Sequence, residues 1–405
     1  LKLISNSVSG LTAAGGLKSN FKMKKNLFLA LSLIALSPLS LKAETIKATD
    51  SRVTFVGRTA VEGTTVSFDW TATYFRVAFA GKSLTMKASD LKVGAADEAA
   101  AAKLHNYYAV WIDSPTSAEP HRIVEVKEGE NIIELVDPNY LKKSRRSVHE
   151  VIVQKRTEGE QGRTTVYEFT TDGQFFQAEP LRARQLEFIG DSYTCGYGID
   201  APTKEEKFSP ETENASRSYA AIVSRYFGAD YIAVAHSGMG MVRNYNSKFP
   251  KWNMPERYCQ TFDMDSTQAT RWNAADHAFK PAMSVIYLGA NDFSVSMQPK
   301  YESFRDNYYR MIKQMKANYG EDHPVLCVAT KTHEFLGEYV REMAKNCGMK
   351  NVHYLVYCPA QHNHTNEDLG ADVHPNYNGQ KKKAYSIIPY IATITGWGLQ
   401  DAIVE

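Results

Sequence analysis

Cysteine is scarce in this chain: five in 405 residues, Cys195, Cys259, Cys327, Cys347 and Cys358. None stands in CxxC spacing, which argues against a zinc knuckle or a thioredoxin-like redox motif. One disulfide is possible, and the spacing does not say which; Cys327, inside the apolar stretch "VLCVAT", reads as a buried free thiol. "CPAQHNHTNEDLG" places His362 and His364 two apart. No partner cluster with ligand spacing accompanies them, so they read as a solvated loop or a substrate rim. Also missing are an internal repeat, a low-complexity linker and, after the N-terminal region, any apolar run long enough to span a bilayer.

A basic surface is missing as well, once the N-terminus is set aside. "MKKNLFLALSLIALSPLSLKA" has a start-like Met23, two lysines, an apolar run over Leu27–Leu36 and a small-residue end at Ala43. That is the pattern of a secretory signal peptide over 23–43, cleaved before Glu44, and residues 1–22 read as an upstream extension. Residues 1–43 hold six lysines and no acid; 47 basic residues less those six leave 41 against 45 acidic, a net charge of −4. A nucleic-acid partner is therefore not expected. "KKSRR", Lys142 to Arg146, is too short for a binding arm and reads as a solvated loop.

What is present falls into two grammars. From Glu44 to about Gly173 the chain is rich in Val, Thr, Phe and Tyr in period-2 alternation, as in "RVTFVGRTAVEGTTVSFDWTATYFRVAFAG". Glu-Gly-Glu-Asn at 128–131 predicts a hairpin between two such strands, and the Ala-rich "GAADEAAAAKLHN" predicts a short helix or a loop. Many short strands with few helical stretches predict a β-sandwich of jelly-roll type over 44–178. From Leu181 strands alternate with amphipathic helices: "QLEFIG", "ADYIAVAHSG", "PAMSVIYLGAND", "HPVLCVAT" and "NVHYLVY" are strands one to five. Helices between them end at Gly228 and Gly320, and "NYNGQKKKAYSIIPYIATITG" closes the chain as another. This predicts a three-layer α/β/α domain over 179–405 with a parallel sheet.

In such sheets ligands gather at the carboxyl ends of the strands. Four polar segments fall there: Gly190-Asp191-Ser192, Ser237-Gly238-Met239-Gly240, Gly289-Ala290-Asn291-Asp292, and Asp372-Val373-His374-Pro375 before the last helix. Together they fit acyl transfer. A serine hydroxyl needs a base, for which His374 is placed; a carboxylate such as Asp372 can hold the base in one tautomer. The developing oxyanion needs preorganised donors, which the Ser192 and Gly238 N–H groups and the Asn291 amide can supply. Gly238 suits close backbone approach because it lacks a Cβ. Asp191 reads as a helix cap and Asp292 as a turn closer. His236 reads as orienting a neighbouring loop, and Met239 and Met241 as cleft wall or core.

The order GDSYTCGYG, SGMG, GANDFS and DVHP resembles the SGNH (GDSL-like) hydrolases, and more closely carbohydrate esterase family 2. The resemblance covers about Glu44 to Glu405. It implies an SGNH domain behind an N-terminal jelly roll, with Ser192 as nucleophile, His374 as acid/base, and Asp372 as orienting carboxylate. It also implies an oxyanion hole of Ser192, Gly238 and Asn291. The general SGNH pattern puts the Asp three residues before the His, at Ala371 here; this chain has Asp372 two before, as that subgroup does. Some members of the subgroup lack the Asp and use a backbone carbonyl. The leader pattern gives a secreted or periplasmic address, and the resemblance implies a serine esterase acting on acetylated xylan, mannan or glucomannan; a monomer with no cofactor and no metal is expected. Trp252, Tyr197 and Tyr258 are candidates for stacking on a sugar ring. An SGNH lipase or thioesterase and an inactive carbohydrate-binding module are the alternative readings.

Overall fold

Among the described residues the chain from Glu44 to Phe176 forms twelve short strands rather than helices; in Leu84–Leu91 every second side chain is inside, whereas Tyr74–Ala80 is buried on both faces. The computed structural model describes residues 43–93, 95, 97–248, 252–265, 267, 269–330, 335–357 and 365–400. The leader pattern before residue 43, Cys358, His362 and His364 lie outside the described residues.

The strands between Glu44 and Phe176 form two six-stranded antiparallel sheets. Phe68, Phe75, Phe79, Tyr108 and Phe169 fill the space between them, each essentially inaccessible to water. The hairpin expected at 128–131 does not form. Arg122–Val126 pairs with Asn106–Ile112 in one sheet, whereas Gly129–Val136 pairs with Leu84–Leu91 in the other. The chain crosses the sandwich at Gly129, whose φ of +77° turns the backbone. Both strands bury apolar residues, Val124 and Val126 on one side and Ile133 and Leu135 on the other, and these point into the sandwich from opposite sheets. The Ala-rich segment forms a single turn, Glu98–Ala101, capped by the Asp97 carboxylate on the Ala100 N–H at 2.8 Å. In "KKSRR", Lys142 and residues 144–146 are exposed.

Continuous apolar runs replace alternation in the second half, because its sheet is covered on both faces. The five parallel strands are Gln185–Gly190, Asp230–Ala235, Met283–Tyr287, Val325–Thr330 and Val352–Tyr357, in the order 2-1-3-4-5. Helices Tyr219–Phe227 and Tyr377–Thr395 pack on one face, and Tyr301–Tyr319 and Leu336–Asn346 on the other. Gly228 and Gly396 end their helices in the left-handed conformation. Cys195, Cys259, Cys327 and Cys347 are free thiols, with Cys327 buried in the fourth strand. Among the described residues no helix is long and apolar enough to cross a membrane.

The order 2-1-3-4-5 places a topological switch point between the first and third strands. The segments carrying Ser192 and Asn291 leave the sheet on either side of it. A core test of the sandwich is Phe75→Ala. Phe75 is wholly buried, with the Phe55 and Phe169 rings at 5.2 and 5.3 Å. Its loss should lower the unfolding free energy by about 3–5 kcal/mol in urea titration. Ile132→Ala, at a side chain 78% exposed, should stay within about 0.5 kcal/mol.

Candidate active site

Ser192 is the first residue of a four-residue helix, Ser192–Cys195, that starts where the first parallel strand ends. Its backbone N–H therefore has no acceptor within the helix and is available to an anion. Asp191 caps that helix, as expected, accepting the Tyr193 N–H at 3.2 Å. Burial pushes the Asp191 carboxyl up to about 7.

His374 approaches from the segment before the last helix, and its Nε2 lies 2.9 Å from Ser192 Oγ. Its Nδ1 lies 3.2 Å from the backbone carbonyl of Asp372. An imidazole that donates from Nδ1 to a carbonyl presents Nε2 as an acceptor, the tautomer a general base requires. Burial lowers the His374 pKa, although the Asp372 carbonyl and carboxylate oppose this, which favours the neutral ring.

The expected contact between the Asp372 carboxylate and His374 is replaced by this carbonyl contact. The Asp372 carboxylate turns away and accepts from Lys207 Nζ at 2.8 Å, Tyr197 Oη at 3.0 Å and the Phe208 N–H at 3.0 Å. The Lys207 ammonium chiefly holds it below the usual carboxylate range. The reason is in the backbone. Asp372 and Val373 have φ of +49° and +64°, left-handed values that a β-branched residue rarely adopts. That twist aims the Asp372 carbonyl, not its side chain, at the imidazole. Such strain costs on the order of 1–3 kcal/mol per residue and persists only where neighbours overdetermine it. Here the Asp372 N–H donates to the Glu206 carbonyl at 2.8 Å, the Ala371 N–H to Gly198 at 3.2 Å, and the Val373 N–H to Lys204 at 3.3 Å. Gly198 permits the docking: its φ is +58°, and a Cβ there would stand 2.4 Å from the Ala371 Cβ.

Asn291 and Gly238 complete the edge. Gly238 has φ +77°, which is the reason for a glycine there; a Cβ would meet only the Tyr245 Cβ at 3.5 Å, an ordinary contact. The Asn291 amide donates to the Met239 carbonyl at 2.8 Å and to Asp191 Oδ2 at 3.2 Å. Asp292 closes a turn, accepting the Met241, Val242 and Arg243 N–H groups at 2.8, 2.6 and 3.1 Å; burial pushes its carboxyl up to about 6. His236 is buried with Nδ1 2.7 Å from Asp263 Oδ2, pinning the 257–265 loop. Met239 and Met241 are core.

The aromatic candidates divide. Tyr258 is 1% exposed, with its hydroxyl on Glu187 Oε2 at 3.1 Å and the Arg58 guanidinium on its ring at 4.7 Å, so it has no face for a sugar. Tyr197 packs against Phe208 and against the His374 ring, centroids 4.3 and 4.2 Å away; it is a platform for the histidine. Trp252 is half-buried, with Arg257 3.7 Å over its ring. An aromatic that sequence reasoning missed adjoins Gly238: Tyr245 is 61% exposed and its N–H donates to the Gly238 carbonyl at 2.7 Å. Its only sequence signal is a position shortly after SGMG.

A serine, a histidine and a left-handed glycine turn meeting at one sheet edge define an SGNH-type hydrolase, and residues 188–382 match the GDSL-like Lipase/Acylhydrolase family. Residues 55–180 match the Carbohydrate esterase 2 N-terminal family. The chain belongs to carbohydrate esterase family 2. It is similar to the acetylxylan esterase / glucomannan deacetylase of Cellvibrio japonicus, 27% identical over 347 residues, 80% of this chain and 85% of that protein. It is similar also to cellulase/esterase CelE of Acetivibrio thermocellus, 32% identical over 256 residues, 62% of this chain but 30% of that protein's length. Among solved structures, a family two carbohydrate esterase from Clostridium thermocellum in complex with cellohexaose superposes with a TM-score of 0.73 at 25% identity, over 85% of this chain and 100% of that one. One from Cellvibrio japonicus shares the fold with a TM-score of 0.74 at 22% identity, over 88% and 99%.

Two outcomes follow from a carbonyl-held histidine. Asp372→Asn leaves that carbonyl in place, so kcat should fall by about tenfold or less, against the roughly 10⁴-fold seen where a carboxylate sets the tautomer; steady-state hydrolysis of p-nitrophenyl acetate reads this. With His374 as general base, its lowered pKa predicts that kcat/KM rises with pH through a limb whose midpoint lies below 6.5.

Proposed function

We propose that this protein is a secreted serine esterase that removes O-acetyl groups from plant-type polysaccharides or their oligosaccharides: acetylated xylan, mannan or glucomannan. The observation that carries the reading is the 2.9 Å contact between Ser192 Oγ and His374 Nε2, with Nδ1 on a carbonyl. Ser192 attacks the acetyl carbonyl while His374 takes its proton. The oxyanion is met by the Ser192 and Gly238 N–H groups and by the Asn291 amide, which yields its longer bond to Asp191. His374 then protonates the departing sugar oxygen, leaving an acetyl-serine. Water deprotonated by His374 attacks that ester, acetate leaves and the serine hydroxyl is restored.

The acetylxylan esterase / glucomannan deacetylase relative supports a carbohydrate substrate, and exposed Tyr245 offers an apolar ring face beside the oxyanion turn. The leader pattern at 23–43 supports export. The catalytic groups come from one chain, consistent with a monomer. Acetate release from a panel of acetylated glycans, resolved by position with NMR, tests the substrate. Ser192→Ala should abolish release; release at the wild-type rate would sink the mechanism. Tyr245→Ala should raise KM on oligosaccharides several-fold while leaving p-nitrophenyl acetate hydrolysis nearly unchanged.

A further inference from the structure

Behind the catalytic edge lies a buried acidic pair that the mechanism above does not use. Glu158 belongs to the sandwich: it precedes the short turn Gly159–Gln161, which joins strands His149–Lys155 and Arg163–Thr171. This turn reaches under the parallel sheet's active edge so closely that a Cβ on Gly159 would stand 2.3 Å from the Asp263 carboxylate. Glu158 is wholly buried, and its Oε2 accepts the Ser237 N–H at 2.6 Å. Ser237 directly precedes the oxyanion glycine. The same oxygen lies 3.8 Å from the Cys195 thiol, within the nucleophile helix.

Glu213, equally buried, comes from the loop after that helix and accepts the Glu158 N–H at 3.1 Å. A ligating atom from each of Glu158, Cys195 and Glu213 lies within 4.8 Å of the others. Among the described residues, Oε1 of Glu158 and Oε1 of Glu213 find no hydrogen-bond partner. Two ionised carboxylates this close in a dry site repel strongly, and a buried oxygen without a hydrogen-bond partner is destabilising in its own right. One proton between them removes both penalties. Burial and the neighbouring Glu158 charge hold the Glu213 carboxyl well above its ordinary range, which places the proton on Glu213. The surrounding charges include Lys155, whose Nζ donates to the Glu158 carbonyl at 3.1 Å, His236, whose Nδ1 is 3.8 Å from Glu158 and 2.7 Å from Asp263 Oδ2, and Glu160, which faces His236 Nε2 at 3.9 Å.

We infer that Glu158 is a positioning residue of the oxyanion hole: the sandwich inserts its carboxylate to hold the Ser237 N–H and so aim the Gly238 N–H, and a proton shared with Glu213 keeps the buried pair at a single negative charge. The inference rests on the proposed esterase reading, since it gives the N-terminal sandwich a part in that chemistry. It distinguishes a sandwich that builds the site from one that merely packs beside it.

The test uses the full-length protein and p-nitrophenyl acetate, with Ser192→Ala alongside. Glu158→Asp keeps the charge but withdraws it from Ser237, and Glu158→Ala removes it. Both should lower kcat by roughly 10- to 100-fold with KM within about twofold, the signature of weakened oxyanion stabilisation. Glu158→Gln keeps an acceptor for Ser237 and offers its amide N–H to Glu213, so it should recover most of kcat. If Glu158→Ala does not fold, the Asp and Gln variants carry the comparison. Wild-type kcat in a folded Glu158→Asp protein, or no recovery with Gln, overturns the positioning role. If Ser192→Ala also keeps its activity, the esterase reading itself has failed. Infrared difference spectra at neutral pH read the proton: wild type minus Glu213→Gln should show the loss of one protonated-carboxyl C=O band, the contribution of Asp191 being common to both and cancelling. A difference spectrum with no such loss, or a stoichiometric divalent metal in the purified protein by elemental analysis, overturns the shared proton.

Discussion

Two buried ion pairs across the seam between sandwich and parallel sheet hold the rest of the molecule in register. Arg58 reaches Glu187 on the first parallel strand at 3.3 Å, and Arg76 pairs with Asp230 at the start of the second. All four side chains are 0–1% exposed. Charges removed from water are tolerable only when their remaining hydrogen-bonding capacity is met, and leaving one partner alone costs about 3–5 kcal/mol. Here much of it is met. Glu187 also accepts from Ser284, Tyr258 and Tyr319 hydroxyls, and Asp230 from the Tyr74 hydroxyl and the Arg182 N–H. The strands gripped in this way are the two that deliver Ser192 and Gly238.

From that seam the catalytic edge is assembled by backbone as much as by side chains. The histidine is oriented by a carbonyl whose direction comes from two consecutive left-handed residues, and these are held by the 198–208 loop. Asp372 therefore acts at one remove. Its carboxylate fastens Lys207, Tyr197 and the Phe208 N–H around the strained turn, while its carbonyl meets the ring. Gly198 of "YTCGYG" belongs to the same arrangement, since it lets the loop after Ser192 touch the histidine loop. The motif that follows the serine is thus the docking surface for the base.

Much of this was legible in the sequence, for identifiable reasons. Period-2 alternation followed by continuous apolar runs distinguished a two-sheet sandwich from a covered parallel sheet. Gly228, Gly320 and Gly396 marked helix ends through their conformational freedom. Asp191 and Asp292 could be read as a cap and a turn closer because local rules govern those positions; Ser192 and His374 could be assigned to one sheet edge because each follows a strand or precedes the last helix. The hairpin at 128–131 was misread because a turn signal does not say which sheet the next strand joins. Tyr258 and Tyr197 were misread because an aromatic in a loop has the same sequence signature whether it faces sugar, arginine or another ring.

The sequence by itself determined the two architectures, the order of the four polar segments and the chemical types they bring, because these depend on periodicity and on strand-end position. Only the tertiary structure decided that the Asp372 carbonyl rather than its carboxylate meets His374, that Tyr245 rather than Tyr258 borders the Gly238 turn, and that Glu158 of the sandwich holds the Ser237 N–H beside it. The contacts behind these decisions are long-range. Glu158 and Ser237 are 79 residues apart, and Tyr197 and Asp372 are 175; no local pattern records which of many acids or tyrosines the folded chain will bring to a given N–H or carboxylate.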